Sequence, residues 1–273
     1  MERILVDGIT LEYEVAGTGE PVVFIHGALI ADAFRPLVAE PALAHGYRLI
    51  TYHRRGYMGS SRPSEAVSVE QQATDCLALL QRLGVDRAHV VGYSFGGCIA
   101  LQLALNAQES VRSLVLLEPA LLIGGNAQFY SESLARAAQR YREAGPAIAV
   151  DEFWRPRFGP GYRTWLDRVL PDAHSQELAD AGTWFELDAP SMLNWRFGEA
   201  EARGISQPVL VVLGDQSEAL WSRFGETYRL LLDWLPHVEG FVLPGATHGL
   251  QLQNPHALSR ALASFLSRHP IPD

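Results

Sequence analysis

The sequence has no lysine, few cysteines and none of the common spacings of metal ligands. All 22 basic residues among the 273 are arginine, and 31 acidic residues bring the formal net charge to −9. Because nucleic-acid binding needs a basic face for the phosphates, this balance argues against nucleic acid as the main partner. The H-x-H, H-E-x-x-H and C-x-x-C spacings are missing, so a metal site has little support, and we expect no cofactor.

Long apolar runs are also missing from the chain. No run approaches the roughly 18 residues that would suggest a membrane span. Residues 1–17 alternate apolar and polar side chains like a pair of strands, and they lack the apolar core and cleavage site of a signal peptide. Cys76 and Cys98 lie in stretches with a helical pattern, where buried thiols are expected rather than a disulfide. We expect a soluble cytoplasmic protein that binds a small-molecule substrate and no membrane, and the oligomeric state stays open.

Short apolar runs alternate with helical patterns along most of the chain. Residues 68–84 and 95–107 carry the 3.6-residue apolar period of helices. The runs predicted as buried strands are residues 21–27, 47–52, 88–93, 111–118, 208–214 and 240–245. Strands that are apolar on both faces and alternate with helices indicate an α/β fold with a mostly parallel central sheet covered by helices.

One interval, residues 121–205, breaks this alternation. It shows no strand pattern, is rich in tryptophan, phenylalanine and tyrosine, and has helical segments such as residues 131–145. We interpret it as a helical insertion into a core made of residues 1–120 and 206–273. Most of its aromatic side chains are expected to form the insertion's own core, and some to line an apolar pocket beneath it.

Residues 90–97, VVGYSFGG, contain the pattern G-x-S-x-G centred on Ser94. A predicted strand precedes the serine and a predicted helix follows it, so the chain must turn sharply there. The flanking glycines let neighbouring backbone close up without a Cβ clash. Such a turn exposes the hydroxyl at the positive end of the next helix, where developing negative charge is favoured. The pattern therefore predicts a nucleophilic serine.

On these residues the chain resembles the α/β-hydrolase superfamily, over nearly its whole length outside the insertion. The resemblance implies an α/β-hydrolase fold with a helical cap and a catalytic triad. It implies that the backbone N–H groups of Ala28, after the His26–Gly27 pair, and of Phe95 form an oxyanion hole. It places the general base at His248, in the loop of VLPGATHGLQLQNP (242–255). The turn YHRRGYMGSS (52–61) departs from the family's D-x-R-G-x-G-x-S pattern, since His53 replaces the acid and Met58 the second glycine.

The acid of the triad has two candidates. In the superfamily it usually lies three residues after the glycine that ends the later strand, but Ser217 occupies that position here. Asp215 follows Gly214 directly, and Glu218 lies further along. Glu118 ends the strand after the serine's helix, where some α/β-hydrolases carry their acid. A glutamate there is long enough to reach an imidazole, so we favour Glu118 and keep Asp215 as the alternative.

A serine nucleophile fits acyl transfer to water. We predict a serine esterase or lactonase that cleaves a small to medium apolar substrate through an acyl-enzyme. The alternatives are a hydrolase of carbon–carbon bonds in diketone acids, cofactor-free perhydrolysis, and a non-catalytic small-molecule receptor of the same fold. Diketone acids would need a cation for the substrate carboxylate. The arginines available for it are Arg54, Arg155, Arg157 and Arg196.

Overall fold

A computed structural model describes residues 1–272 as an eight-stranded sheet flanked by helices. The strands are β1 (Glu2–Val6), β2 (Ile9–Ala16), β3 (Gly19–Ile25), β4 (Gly46–His53), β5 (Ala88–Tyr93), β6 (Val111–Leu117), β7 (Val209–Gly214) and β8 (Val238–Leu243). Their order is β1-β2-β4-β3-β5-β6-β7-β8. Only the pairs β1–β2 and β2–β4 are antiparallel. The predicted fold class, an α/β fold with a mostly parallel sheet, is confirmed.

The helices fill the intervals between the parallel strands. They are α1 (Arg35–Val38), α2 (Pro41–Ala44), α3 (Val69–Arg82), α4 (Phe95–Asn106), α5 (Ala127–Ala144), α6 (Pro146–Phe158), α7 (Tyr162–Val169), α8 (Ala173–Gly182), α9 (Ala189–Asn194), α10 (Glu199–Arg203), α11 (Ser217–Leu220), α12 (Arg223–Trp234), α13 (Leu250–Gln253) and α14 (Pro255–Ser267). A 3₁₀ turn covers Gln108–Ser110, and a π-helical turn covers Thr183–Asp188. No helix within residues 1–272 is long and apolar enough to cross a membrane.

Each of the six predicted strands is present, with ends shifted by at most two residues. The run 240–245 becomes β8, because pairing with β7 begins at Val238 and the strand ends before Pro244, which has no N–H to donate. Every residue of β5 and β7 is buried, as expected for strands covered on both faces. Cys76 and Cys98 are buried free thiols in α3 and α4.

The chain between β6 and β7 forms helices α5–α10 with the π-helical turn and no strand. Its buried aromatic rings pack on one another. Trp154 stacks on Phe158 with ring centroids 4.3 Å apart, and the ring centroids of Phe153 and Trp184 are 5.4 Å apart. We call this interval the cap. The division of the chain into 1–120 with 206–273 and 121–205 stays a prediction.

Candidate active site

Ser94 lies at the turn between β5 and α4. Its backbone has φ 52° and ψ −117°, a conformation that a residue with a Cβ seldom adopts. The turn is held by hydrogen bonds on both sides. The Ser94 N–H donates to Leu117 O at 3.0 Å, and Ser94 O accepts from the N–H groups of Gly97 and Ala120. The strained conformation is thus enforced by the surrounding backbone, and it sets Ser94 at the amino-terminal end of α4.

Two glycines allow α4 to approach the sheet this closely. A Cβ at Gly96 would lie 2.0 Å from the carbonyl oxygen of Ile25, and one at Gly92 would lie 2.5 Å from the carbonyl oxygen of Gly96. Either contact would push the helix away from β3 or β5. The glycines of the G-x-S-x-G pattern are therefore required by packing around Ser94.

His248 lies in the loop after β8 and faces the serine. Its Nε2 is 3.1 Å from Ser94 Oγ. Its backbone N–H donates to Arg157 O of the cap at 3.3 Å. The imidazole packs against Phe224 with ring centroids 4.6 Å apart and against Tyr93 at 5.0 Å. These contacts bury the ring and fix its orientation toward the hydroxyl.

Glu118 follows β6 directly and reaches the other side of the imidazole. His248 Nδ1 donates to Glu118 Oε2 at 2.6 Å, and the N–H of Gly214 donates to Glu118 Oε1 at 2.8 Å. The backbone at Glu118 has φ 42° and its N–H donates to Val212 O at 3.2 Å. Each carboxylate oxygen is therefore engaged, one by the base and one by the last residue of β7.

Asp215, the alternative candidate for the acid, contacts a different group. Its Oδ1 accepts the N–H of Ala246 at 3.1 Å, which braces the loop that leads to His248. Glu218 forms an exposed ion pair with Arg229 at 2.9 Å. In residues 1–272 neither carboxylate forms a hydrogen bond with His248. The structure brings together the serine, the histidine and the acid at the end of β6.

The electrostatic surroundings favour a neutral base. Burial lowers the pKa of His248 below its usual value of 6.5. The hydrogen bond with Glu118 and its charge oppose this, whereas the nearby charges of Arg223 and Arg157 lower the pKa further. At neutral pH the imidazole is therefore uncharged, and Nε2 can accept the proton of Ser94.

Phe95 directly follows the serine, and Ala28 directly follows Gly27, where an added Cβ would lie 2.9 Å from Ser94 Cβ. The resemblance implies an oxyanion hole at these two residues. Both residues are buried, and within residues 1–272 neither backbone N–H donates to a protein acceptor. The ring of His26 contacts backbone on both sides. Its Nδ1 is 2.9 Å from Gly27 O, and its Nε2 accepts the backbone N–H of Arg54 at 3.0 Å. His26 therefore shapes the loop that presents Ala28.

Arg54 connects this loop to the cap, a contact that the sequence analysis did not foresee. Its guanidinium is buried and donates to His26 O at 3.1 Å, to Gly27 O at 2.9 Å and to Asp188 Oδ2 at 2.9 Å. Asp188 ends the π-helical turn of the cap and also accepts from the Tyr57 hydroxyl at 2.8 Å. The loop beside Ser94 and the cap thus share one buried ion pair.

His53 and Met58, the two residues that depart from the family pattern at the end of β4 and in the turn after it, form hydrogen bonds with nearby carboxylates. His53 lies between two carboxylates, 3.1 Å from Glu12 Oε2 and 3.1 Å from Asp32 Oδ1. Met58 takes the place of a glycine with φ 48°, and its N–H donates to Asp180 of the cap at 3.0 Å. Within residues 1–272 no group of three or more histidine, cysteine, aspartate and glutamate side chains could hold a metal ion.

The arginines proposed as substrate cations differ in their surroundings. Arg54 is paired as described, and Arg155 and Arg196 are exposed. Arg157 is buried next to the histidine, and so is Arg223, which sequence reasoning missed. Its place in the sequence, two residues after Trp221 at the start of α12, gave no sign of this burial. Two arginines, rather than one, are therefore positioned near the base.

Aromatic side chains of the cap cover the site. Trp184 contacts Phe95 with ring centroids 5.7 Å apart, and Phe158 lies 6.3 Å from the ring of His248. Ser94 is 6% exposed. Ser94 is therefore buried close to aromatic side chains of the cap.

Comparison with known proteins agrees with this fold. Residues 20–255 match the family described as the alpha/beta hydrolase fold. The chain is 37% identical to the "putative non-heme bromoperoxidase BpoC" of Mycobacterium tuberculosis, over 95% of this chain and 98% of that protein. It is also 37% identical to a "putative non-heme chloroperoxidase" of Synechocystis, over 94% and 95% of the two chains.

Solved structures show the same fold at lower identity. A thermophilic esterase from Thermogutta terrifontis has a TM-score of 0.83 and 24% identity, over 99% of this chain and 100% of that chain. The enol-lactonase from Burkholderia xenovorans has a TM-score of 0.82 and 23% identity, over 97% and 100%. At such identities the likeness concerns the fold. Together with the matched residues 20–255 and the two relatives at 37% identity, it shows that the chain belongs to the alpha/beta hydrolase fold family.

Proposed function

We propose that the protein is a serine hydrolase that cleaves a carboxylic ester or lactone through an acyl-enzyme. The observation that supports this most is the hydrogen-bonded series Ser94–His248–Glu118, with the serine at a strained turn before a helix. A serine hydroxyl is a weak nucleophile near neutral pH and needs a base in contact. A buried, neutral imidazole whose Nδ1–H is held by a carboxylate provides that base.

In the proposed reaction, Ser94 Oγ attacks the substrate carbonyl while His248 Nε2 takes the hydroxyl proton. The negative oxygen of the tetrahedral intermediate accepts hydrogen bonds from the N–H groups of Ala28 and Phe95. The imidazolium, stabilised by Glu118, gives its proton to the leaving alkoxide as the carbon–oxygen bond breaks. Water then attacks the acyl-enzyme by the same sequence of proton transfers and restores the serine.

The cap supports an apolar substrate of small to medium size. Trp184 contacts Phe95, the residue after Ser94, and Phe158 lies near the ring of His248. The acyl or alcohol part of the substrate would therefore lie against aromatic rings. Turnover should rise with acyl chain length over short aryl esters and fall when a neutral hydroxyl replaces a methyl group. Fastest turnover of hydroxylated acyl groups would contradict the apolar pocket.

The direct test is covalent labelling by a fluorophosphonate, followed by peptide mapping. We expect a single adduct at Ser94, lost in Ser94→Ala. The chain offers a matched control, because Ser113 Oγ is 2.7 Å from His89 Nδ1 and His89 Nε2 is 3.1 Å from Glu20. Ser113 and His89 are buried within strands, Glu20 is partly exposed, and Ser113 does not lie at a turn before a helix, so Ser113→Ala should label normally. A folded protein that is not labelled at Ser94 would refute the enzyme and favour a receptor.

A second candidate is perhydrolysis, which the similarity to a putative bromoperoxidase and a putative chloroperoxidase, each 37% identical, favours. Hydrogen peroxide would replace water in attacking the Ser94 acyl-enzyme, releasing a peracid that oxidises a halide. The measurement is bromide oxidation with acetate and hydrogen peroxide, compared between wild type and Ser94→Ala. If bromide oxidation requires Ser94 and is faster than ester hydrolysis, perhydrolysis becomes the first candidate. If esters are hydrolysed and bromide is not oxidised, hydrolysis remains the proposed function.

A further inference from the structure

The guanidinium of Arg223 is buried without a hydrogen-bond partner. The residue is 2% exposed, and within residues 1–272 its Nε, Nη1 and Nη2 atoms have no acceptor. Aromatic rings surround it, with Tyr130 at 3.8 Å, Phe224 at 4.6 Å and Trp221 at 5.1 Å from the guanidinium carbon. Cation–π contacts offset part of the cost of burying the charge, but they leave its five N–H groups unused.

Arg157 presents a second buried guanidinium nearby. It is 3% exposed, its Nη1 donates to the backbone oxygen of Phe153, and the Tyr130 hydroxyl lies close enough to act on its charge. Its guanidinium carbon is 3.7 Å from the Phe153 ring and 4.7 Å from the ring of Trp221. Burial and the charge of Arg223 lower the pKa of Arg157 to about 10. Both arginines thus contact the same indole ring, and the Nε1 of Trp221 also lacks a partner among the described residues.

Neither arginine is neutralised by the protein. In residues 1–272 neither forms an ion pair with a carboxylate. Glu118 is the nearby buried acid, and its two oxygens are already taken by His248 and Gly214. Two buried cations beside one buried carboxylate leave a positive excess. An uncompensated buried charge costs several kcal/mol, so the arrangement is complementary to a missing anion.

These arginines lie at the seam between cap and core, beside the base. Arg223 precedes Phe224, whose ring packs on His248, and the backbone oxygen of Arg157 accepts the His248 N–H. Arg157 also lines a cavity of about 310 Å³ between α5 and α6, together with Arg136 and Arg140. Arg140 is paired with Glu152 and Arg136 with Glu132, so Arg157 is the arginine of this lining that has no carboxylate partner within residues 1–272.

We propose that Arg157, Arg223 and the indole N–H of Trp221 bind a carboxylate, so that the substrate is an ester or lactone with a free carboxylate at its far end. The proposal rests on the proposed function for the reaction at Ser94 and adds the substrate class. Planar guanidinium groups bind carboxylates through paired N–H donors. The aromatic rings of Tyr130 and Trp221 would contact the apolar spacer between the carboxylate and the scissile bond.

The test compares two esters of equal length that differ in charge. One is the mono(4-nitrophenyl) ester of glutaric acid, and the other is 4-nitrophenyl pentanoate. Charge-assisted hydrogen bonds contribute about 1.5–3 kcal/mol, so we expect wild type to prefer the glutarate ester about 10- to 100-fold in kcat/KM. Arg223→Gln should bring this ratio to about one or below, whatever it does to absolute rates. Arg229→Gln, an exposed position on the same helix, should keep the wild-type ratio.

A wild-type preference for the pentanoate would overturn the proposal, and so would equal ratios in Arg223→Gln and Arg229→Gln. Arg157→Gln, with Arg155→Gln as its exposed control on α6, repeats the comparison if Arg223→Gln does not fold. Binding separates the subsite from the chemistry. Ser94→Ala should bind monomethyl glutarate more tightly than dimethyl glutarate by tryptophan fluorescence, and Arg223→Gln should abolish the difference.

The two proposals can fail separately. Charge-dependent binding by Ser94→Ala without ester turnover by wild type would retain the carboxylate subsite and refute the hydrolase. Turnover of both esters at similar rates, with no difference in binding, would retain the hydrolase and refute the subsite.

Discussion

Replacing Glu118 by glutamine tests the acid with almost no change in shape. In the wild-type protein the Glu118 carboxylate accepts hydrogen bonds from two fixed donors, the N–H of Gly214 and the Nδ1–H of His248. A glutamine side chain has only one oxygen. The Gly214 N–H requires that oxygen, because a backbone N–H can donate a hydrogen bond but cannot accept one. The amide NH₂ then faces Nδ1, which must become an acceptor. Nε2 therefore carries the remaining proton and can no longer accept the hydroxyl proton of Ser94.

The expected loss follows from this change of tautomer. In a comparable triad the same exchange of acid for amide lowers kcat by about 10⁴-fold while the geometry is retained. That factor corresponds to about 5 kcal/mol of transition-state stabilisation. Folding should be affected far less, because the bond to Gly214 is kept and one neutral hydrogen bond contributes about 1 kcal/mol.

The assay is kcat for a short-chain aryl ester with Glu118→Gln and Asp215→Asn measured side by side, after circular dichroism has shown both to be folded. The amide oxygen of an asparagine at 215 can still accept the Ala246 N–H, so we expect a loss of less than about tenfold there. A collapse of Asp215→Asn together with a Glu118→Gln enzyme within tenfold of wild type would refute the reasoning.

Three further changes probe the charges around the site. Burial and the charge of Arg223 lower the pKa of His248, so the acid limb of the pH profile of kcat/KM should lie below pH 6.5. In Arg223→Gln this limb should move to higher pH, and an unmoved limb would contradict the effect of Arg223 on His248. Asp188→Asn should leave Arg54 as an uncompensated buried charge and destabilise the fold by about 3 kcal/mol, with lower kcat; a melting temperature equal to wild type would contradict this. Burial raises the pKa of Glu177 from 4.5 to about 7. The folded state therefore holds a proton that the unfolded chain has lost, and wild-type stability falls by about 3 kcal/mol as pH rises from 4.5 to 7. Urea unfolding at pH 5 and pH 8 should show this fall in wild type and little of it in Glu177→Gln.

The fold could be predicted because its signals are local. Buried parallel strands read as short apolar runs, and each such run contains a strand. The candidates Ser94, His248 and Glu118 came from the G-x-S-x-G pattern and the resemblance to α/β-hydrolases, and the topology of the sheet explains why the three side chains meet. The carboxyl ends of parallel strands meet at one edge of a sheet, so residues that follow β5, β6 and β8 come together there.

The contacts between cap and core could not be predicted in this way. Arg54 and Asp188 are 134 positions apart, and no period or spacing links them. The pairing depends on how the cap packs on the sheet, which is decided by the shapes of many aromatic side chains together. Arg223 was missed for the same reason, since an arginine at a helix start is ordinarily exposed, and only the packed rings of Tyr130 and Phe224 reveal its burial.

The place of the acid has a geometric explanation. Strand β6 lies between β5 and β7, so the residue that directly follows β6 starts nearer to the turn at Ser94 than the residue that directly follows β7. Glu118 also extends across the gap, because its Oε1 is held by Gly214 at the end of β7. The carboxylate therefore sits against the strand that usually supplies the acid, although its backbone belongs to the neighbouring strand. Ser217, at the usual position, is buried with its hydroxyl unpaired in the described residues. What the base requires is a carboxylate at this point in space, and either strand end can deliver it.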